Sequence, residues 1–250
     1  MSLEEHVFPD RRRLFVGLAT ELGDKLGEIV RKRRKASIAM PGGTTPGPLF
    51  DSLSNMPLPW SKISVTLTDE RWVSPEDPAS NEWLVREQLL RRRAADATFV
   101  GFKTNHAKAT GGVTVTDRRL APLMPLDICV LGMGPDGHIA SLIPGAEGYD
   151  AAVSESNKRT TAGLVSLGAA GSPERMSLTL NAIASSKRII LLFMGQEKMN
   201  IFAEAKEGKG VTPVRDLLAH KKAVIDAYKA AGWDYTHSGD VDAKRSRRRH

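Results

Sequence analysis

Cysteine is nearly absent: Cys129 is the single one in 250 residues. No disulfide framework can form, and a reducing cytoplasm is the natural compartment. Cys129 stands inside an apolar run with no sequence neighbour to lower its thiol pKa, so it reads as a buried, inert side chain. No stretch approaches the ~18 apolar residues of a membrane span. The opening Met1-Ser2-Leu3-Glu4-Glu5-His6 is acidic and lacks the apolar segment of a secretory leader. Histidines are few and scattered, at 6, 106, 138, 220, 237 and 250, with no metal-ligand spacing. Aromatic residues make up 6% and none interleaves with the basic runs as a base-stacking surface requires. There is no repeat period, Ser/Gly linker or break in composition, which predicts one α/β domain over residues 1–232 and a flexible basic tail over 233–250.

Positive charge is plentiful but local. Of a net +7, Lys244, Arg245, Arg247, Arg248 and Arg249 supply +5, leaving an unremarkable +2 for the rest. The runs Arg31-Lys32-Arg33-Arg34-Lys35 and Arg91-Arg92-Arg93 fall where helices end, and they read as cations facing a helix C-terminus and solvent. Neither a nucleic acid nor a membrane is expected as partner, and the chain is read as a monomer or weak homo-oligomer.

Periodicity places the elements. Asp10 caps a helix whose stripe is Leu14, Phe15, Leu18, Ala19, Leu22, Leu26, Ile29 and Val30. Residues 36–40, 63–68, 98–102, 126–131, 164–167, 189–194 and 224–228 read as strands, and 104–112 as a loop before a helix over 115–120. Ser80-Asn81 caps a helix carrying Trp83, Leu84, Val85, Leu89 and Leu90. Further helices open at Gly195 and near Val214. Strands alternating with helices imply a largely parallel sheet covered on both faces.

Three strands end in loops suited to chemistry. Pro41-Gly42-Gly43-Thr44-Thr45-Pro46 leads into a helix N-terminus, where an anion binds well. Asp69-Glu70-Arg71-Trp72 follows a second strand. Leu131-Gly132-Met133-Gly134-Pro135-Asp136-Gly137-His138 follows a third. In open parallel sheets such loops converge on a ligand crevice. Gly132, Gly134 and Gly137 also satisfy the dinucleotide pattern G-x-G-x-x-G, but Pro144-Gly145 stop the chain after barely two turns, where a nucleotide-binding unit needs a full crossover helix. His138 is the one histidine in a strand-end glycine loop. Its imidazole suits general-base work, with Asp136 or Asp69 as the group that orients it. The amides and hydroxyls of Gly43, Thr44 and Thr45 suit a phosphate or an oxyanion, and Arg71 can hold either by a forked pair of hydrogen bonds.

Four motifs in register, Gly42-Gly43-Thr44-Thr45-Pro46, Asp69-Glu70-Arg71-Trp72-Val73 with Ser80-Asn81, the block Leu131 to Gly145, and Arg175-Met176-Ser177-Leu178-Thr179-Leu180, resemble the glucosamine-6-phosphate isomerase/6-phosphogluconolactonase family. The resemblance runs from about residue 10 to residue 228. Arg71 and Ser80-Asn81 favour its lactonase branch over the deaminases, which usually have Tyr after the Asp-Glu pair.

The resemblance implies a Rossmann-like α/β fold of the sugar-phosphate isomerase/lactonase type, an open mostly parallel sheet with helices on both faces. It implies a cytoplasmic hydrolase that opens 6-phosphogluconolactone in the oxidative pentose phosphate pathway without metal or organic cofactor. Its catalytic residues would be His138, Asp136 and Asp69, and its substrate contacts Gly42, Gly43, Thr44, Thr45, Glu70, Arg71, Arg175 and Lys198. Arg175 enters by its place in the motif; Lys198 enters because a lysine follows the corresponding strand in the deaminases. Many members carry Lys-Pro-Pro just before the arginine, whereas this chain has Ala169-Ala170-Gly171-Ser172-Pro173, so that lysine contact is absent or supplied elsewhere. The alternatives are a deaminase-like isomerase and a non-catalytic sugar-phosphate-binding regulator that uses its basic tail on nucleic acid.

Overall fold

The structure, a computed structural model, describes residues 2–43, 45–169 and 171–230. Thr44 and the expected tail over 233–250 lie outside the described residues. In chain order the elements are β1 (Ser2–Phe8), α1 (Arg11–Arg33), β2 (Ala36–Met40), α2 (Gly47–Ser54), β3 (Ile63–Leu67), β4 (Asp69–Arg71), α3 (Asn81–Gln88), β5 (Thr98–Val100), α4 (Ala109–Leu120) and β6 (Ile128–Gly132). They continue with α5 (Tyr149–Val153), β7 (Thr161–Val165), β8 (Glu174–Leu178), α6 (Leu180–Ala184), β9 (Ile189–Met194), α7 (Gln196–Lys206), α8 (Pro213–Ala219) and β10 (Val224–Ala230).

Seven strands form one parallel sheet in the order β1-β10-β9-β6-β2-β3-β5. Every residue of β2 and β9 is buried, so both faces of the sheet are covered. The winding reverses between β2 and β6: from β2 the chain builds outward through β3 and β5, then returns to lay β6 on the other side of β2, followed by β9 and β10. That reversal point, at the carboxyl ends of β2 and β6, is where ligands bind in such sheets.

Asp10 caps α1 by accepting from the Arg13 amide at 2.7 Å, and Arg31, Lys32 and Arg33 lie in the last turn of that helix as expected. The second basic run is more engaged than a solvated helix end. Arg91 and Arg92 both reach Asp51, at 2.6 and 2.7 Å, tying the end of the α3 segment to α2.

Four features depart from the sequence reading. First, β1 has no apolar period, because it is an edge strand whose Glu5 pairs with Lys206 and Lys229 while His6 stacks on Tyr228. Second, α4 begins at Ala109, inside the expected loop. Its glycines mark a close approach: a Cβ on Gly112 would lie 2.6 Å from the Trp72 ring, and one on Gly163 of β7 would lie 2.4 Å from the Thr110 amide. Third, β4, β8 and β7 form a separate three-stranded antiparallel sheet. Fourth, residues 139–143, read as about two helical turns, are instead held by the short bridges Met133 to Ile139 and Ile139 to Leu142. Among the described residues no helix is long and apolar enough to cross a membrane.

Candidate active site

At the reversal point lies a cavity of about 180 Å³, and all three strand-end loops reach it. The loop after β2 contributes Gly42, Gly43, Thr45 and Pro46; the segment after β3 contributes Asp69 and Arg71; the loop after β6 contributes Gly134, His138 and Ala140. Gly43 has φ +83°, a left-handed turn that glycine adopts without strain. The amides of Gly42 and Gly43 make no hydrogen bond to any described residue.

The β6 loop closes on itself: the Gly134 amide donates to the His138 carbonyl at 2.9 Å, and the Gly137 amide donates to the Gly134 carbonyl at 3.2 Å. This folds Asp136 against His138, with Nδ1 of the imidazole 2.5 Å from Oδ1 of the carboxylate. A carboxylate only accepts, so Nδ1 carries the proton and Nε2 is left as the basic nitrogen. Burial pushes the Asp136 carboxyl up, but the charge and hydrogen bonds of His138 outweigh it and hold the group below its ordinary value. Asp136, and not Asp69, is therefore the carboxylate in contact with His138.

The glycine at 134 serves this pair by size alone. A Cβ there would sit 2.2 Å from Nδ1 of His138 and 2.8 Å from the Asp136 carboxylate. Gly134→Ala is expected to displace the imidazole and lower kcat by about 10²-fold with little change in KM, since an error of about 1 Å in a catalytic group costs that much. Steady-state kinetics alongside an unchanged far-ultraviolet circular dichroism spectrum checks it.

Arg71 and Arg175 face each other in register across β4 and β8. Both line the cavity. Like charges opposite one another in an antiparallel pair repel, which marks the place as one suited to an anion. Arg175 is only 6% exposed; burial lowers its pKa, aided by Arg71 and opposed by Asp69 and Glu70. Its Nη1 donates to the Ser141 hydroxyl at 3.2 Å, which in turn donates to Asp69 at 2.6 Å. Asp69 thus anchors the arginine through a hydroxyl that sequence reasoning did not single out. Lys198 lines a smaller adjoining recess with Thr45, Gly132 and Met133; burial lowers its pKa, countered by Glu197 and Asp136.

The family model for glucosamine-6-phosphate isomerases/6-phosphogluconolactonase matches residues 9–225. The chain belongs to this family. Within it, the chain is 35% identical over 234 residues to a 6-phosphogluconolactonase of Rhizobium meliloti, spanning 92% of this chain and all of the relative. It is 36% identical to the 6-phosphogluconolactonase of Pseudomonas aeruginosa over 81% of this chain and 85% of the relative. The crystal structure of a 6-phosphogluconolactonase from Shewanella baltica matches with a TM-score of 0.86 at 33% identity, covering 92% and 98% of the two chains. A monomeric glucosamine-6-phosphate deaminase shares the fold, with a TM-score of 0.74 at 19% identity.

Against this family background one expected contact is corrected. Glu70 is fully buried and does not line the cavity. Its carboxylate accepts from the amides of Arg71, Asn81 and Glu82 and from the Ser80 hydroxyl, at 2.6 to 2.9 Å. It secures the N-terminus of α3, where unpaired helix amides favour a negative group. The alternation of the strand turns Asp69 and Arg71 to one side and Glu70 to the other.

Burial pushes the Glu70 carboxyl up to about 7, against the hydrogen bonds, which favour its charged form. This folded value lies above the ordinary 4.5, so the folded chain binds more protons between the two, and the contribution of Glu70 to stability falls as pH rises through that window. Glu70→Gln is expected to flatten that slope. It should also lower stability by about 1–3 kcal/mol, because its amide nitrogen faces donors. Denaturant unfolding at pH 5, 6 and 7 measures both.

Proposed function

We propose that the protein hydrolyses 6-phospho-D-glucono-1,5-lactone to 6-phospho-D-gluconate, the second step of the oxidative pentose phosphate pathway, using water activated by His138. The observation that carries the reading is the His138–Asp136 pair on a cavity that also holds two facing arginines.

A lactone is an activated ester, and its opening needs a base, a place for negative charge on oxygen, and a handle for the phosphate. Nε2 of His138 takes a proton from water as the water oxygen bonds to the lactone carbonyl carbon. The electron pair of the carbonyl moves onto its oxygen, and the amides of Gly42 and Gly43 are the donors suited to hold it. When that intermediate collapses, the bond to the ring oxygen breaks, and the imidazolium returns the proton to the departing alkoxide. The acid product loses its own proton to solvent. Asp136 keeps Nδ1 protonated and steadies the transient imidazolium. Arg71 and Arg175 hold the phosphate, with Asp69 and Ser141 fixing Arg175. Thr44 and Thr45 of the same loop and Lys198 of the adjoining recess complete the expected substrate contacts.

The test is a comparison of two substrates with one preparation. Freshly generated 6-phosphogluconolactone should be opened faster than its spontaneous rate, while glucosamine 6-phosphate should release no ammonia. Ammonia release without lactone opening would assign the chain to the deaminase chemistry of the family.

A further inference from the structure

The large sheet ends on one side in a strand with a free edge. β1 spans seven residues and pairs with β10 alone, whereas the opposite edge, β5, has only three residues. The Ser2 amide donates to the Ala223 carbonyl at 3.0 Å, and the parallel register runs without a bulge from Ser2 opposite Val224 to Phe8 opposite Ala230. Along a strand in a parallel ladder, one residue turns both backbone groups to the neighbour and the next turns both away. Ser2, Glu4, His6 and Phe8 therefore face β10, while Leu3, Glu5 and Val7 hold their N–H and C=O groups out from the sheet. These outward groups make no backbone hydrogen bond to any described residue. Val7 also leaves a large apolar side chain 65% exposed. An open strand of this length is a template for another strand.

We propose that β1 is a self-association surface, on which a second copy of the chain lays its own β1 antiparallel across a two-fold axis at Glu5. The register follows from the free groups. With Glu5 opposite the partner's Glu5 and Leu3 opposite the partner's Val7, every outward residue meets another outward residue, and each such pair exchanges two hydrogen bonds. A shift of one residue sets free groups against groups already bonded to β10. A shift of two leaves an outward residue of each strand without a counterpart in the other β1.

The side chains agree with this register. Leu3 meets the partner's Val7 and covers it. On the other face Glu4, whose side chain is 65% exposed, stands opposite the partner's His6, at a non-hydrogen-bonded position where side chains approach most closely. The two Glu5 carboxylates meet at the axis, but each is already paired with Lys206 and Lys229 of its own chain. A two-fold contact closes on itself, so the product is a dimer and not a fibre. One strand from each chain makes a small contact, so the dimer is reversible. β10 and β9 separate β1 from β6, which leaves the site open in the dimer whatever sugar phosphate it takes.

Sedimentation velocity on the full chain over roughly 10 μM to 1 mM should show a monomer-to-dimer equilibrium. Hydrogen exchange in residues 2–8 should slow as concentration rises, since the Leu3, Glu5 and Val7 amides are protected only in the dimer. Val7→Pro removes an outward N–H without touching a bond to β10, and edge strands tolerate proline. Val7→Lys keeps the backbone and sets a charge against Leu3. Each change occurs twice across the axis, so both variants should dimerise about tenfold more weakly or worse, with unchanged far-ultraviolet circular dichroism. A wild type that stays monomeric throughout overturns the proposal. So does a dimer that both variants retain at wild-type affinity, which places the interface elsewhere. Slow exchange in residues 2–8 of a monomer at every dilution would put residues 231–250 on this edge in place of a second copy, and would overturn it equally.

Discussion

Replacing His138 with alanine is expected to cut catalysed lactone opening by about 10³-fold, within the range that a positioned general acid–base contributes. The fall should appear in kcat, with KM little changed, since the imidazole acts on water and on the ring oxygen and is not the handle for the phosphate. Asp136→Asn should follow with a smaller loss, because it leaves the ring in place while removing the negative charge beside Nδ1 and allowing an amide donor to face it. The comparison is sensitive to substrate handling: the lactone opens unaided, so each rate needs a protein-free blank. An unchanged kcat in His138→Ala would remove His138 from the chemistry.

Much of this site is legible in the sequence, for physical reasons that differ from loop to loop. The β6 loop announces itself because an apolar strand breaks into glycines, and the structure gives two of them a cause: a Gly134 Cβ would lie 2.2 Å from the imidazole, and Gly137 turns with φ +77°. The choice between Asp136 and Asp69 is not legible, because it depends on a loop closure and on a hydroxyl, Ser141, that come together only in three dimensions. Glu70, a charged residue at a strand end, looks like a ligand contact in the sequence, and only the placement of the α3 N-terminus shows that its oxygens are already occupied. The parallel sheet follows from alternating strands and helices, while β1 and the small antiparallel sheet do not. β1 and β4 pair with strands distant in sequence, β10 and β8, and residues such as Glu5 and Arg175 are selected for pairing and function and carry little apolar period.

Arg71→Ala should lower kcat/KM for 6-phosphogluconolactone by about 10²-fold, mainly through KM, and leave unphosphorylated glucono-δ-lactone nearly unaffected. A charge-assisted contact of a guanidinium with a phosphate is among the stronger polar interactions, and Arg71 stands opposite Arg175 in register. Because the two cations repel when the site is empty, an anion placed between them should also stabilise the fold. Inorganic phosphate or 6-phosphogluconate should raise the melting temperature of the wild type, and less so that of Arg71→Ala. Equal losses on the two lactones would show that Arg71 does not read the phosphate. Comparison of the two substrates separates loss of a phosphate contact from a general disturbance of the loop, which would slow both lactones alike, since Arg71 also donates to the Ala79 carbonyl at 2.7 Å.

The central claim is that this cavity opens a phosphorylated sugar lactone through His138. Its most direct test follows proton release from freshly generated 6-phosphogluconolactone at constant pH while the protein concentration is varied, with wild type and His138→Ala measured side by side. The account predicts a rate that rises in proportion to wild-type protein above the spontaneous background and barely rises with His138→Ala. A rate independent of wild-type concentration, or an equal rise with both proteins, would contradict it.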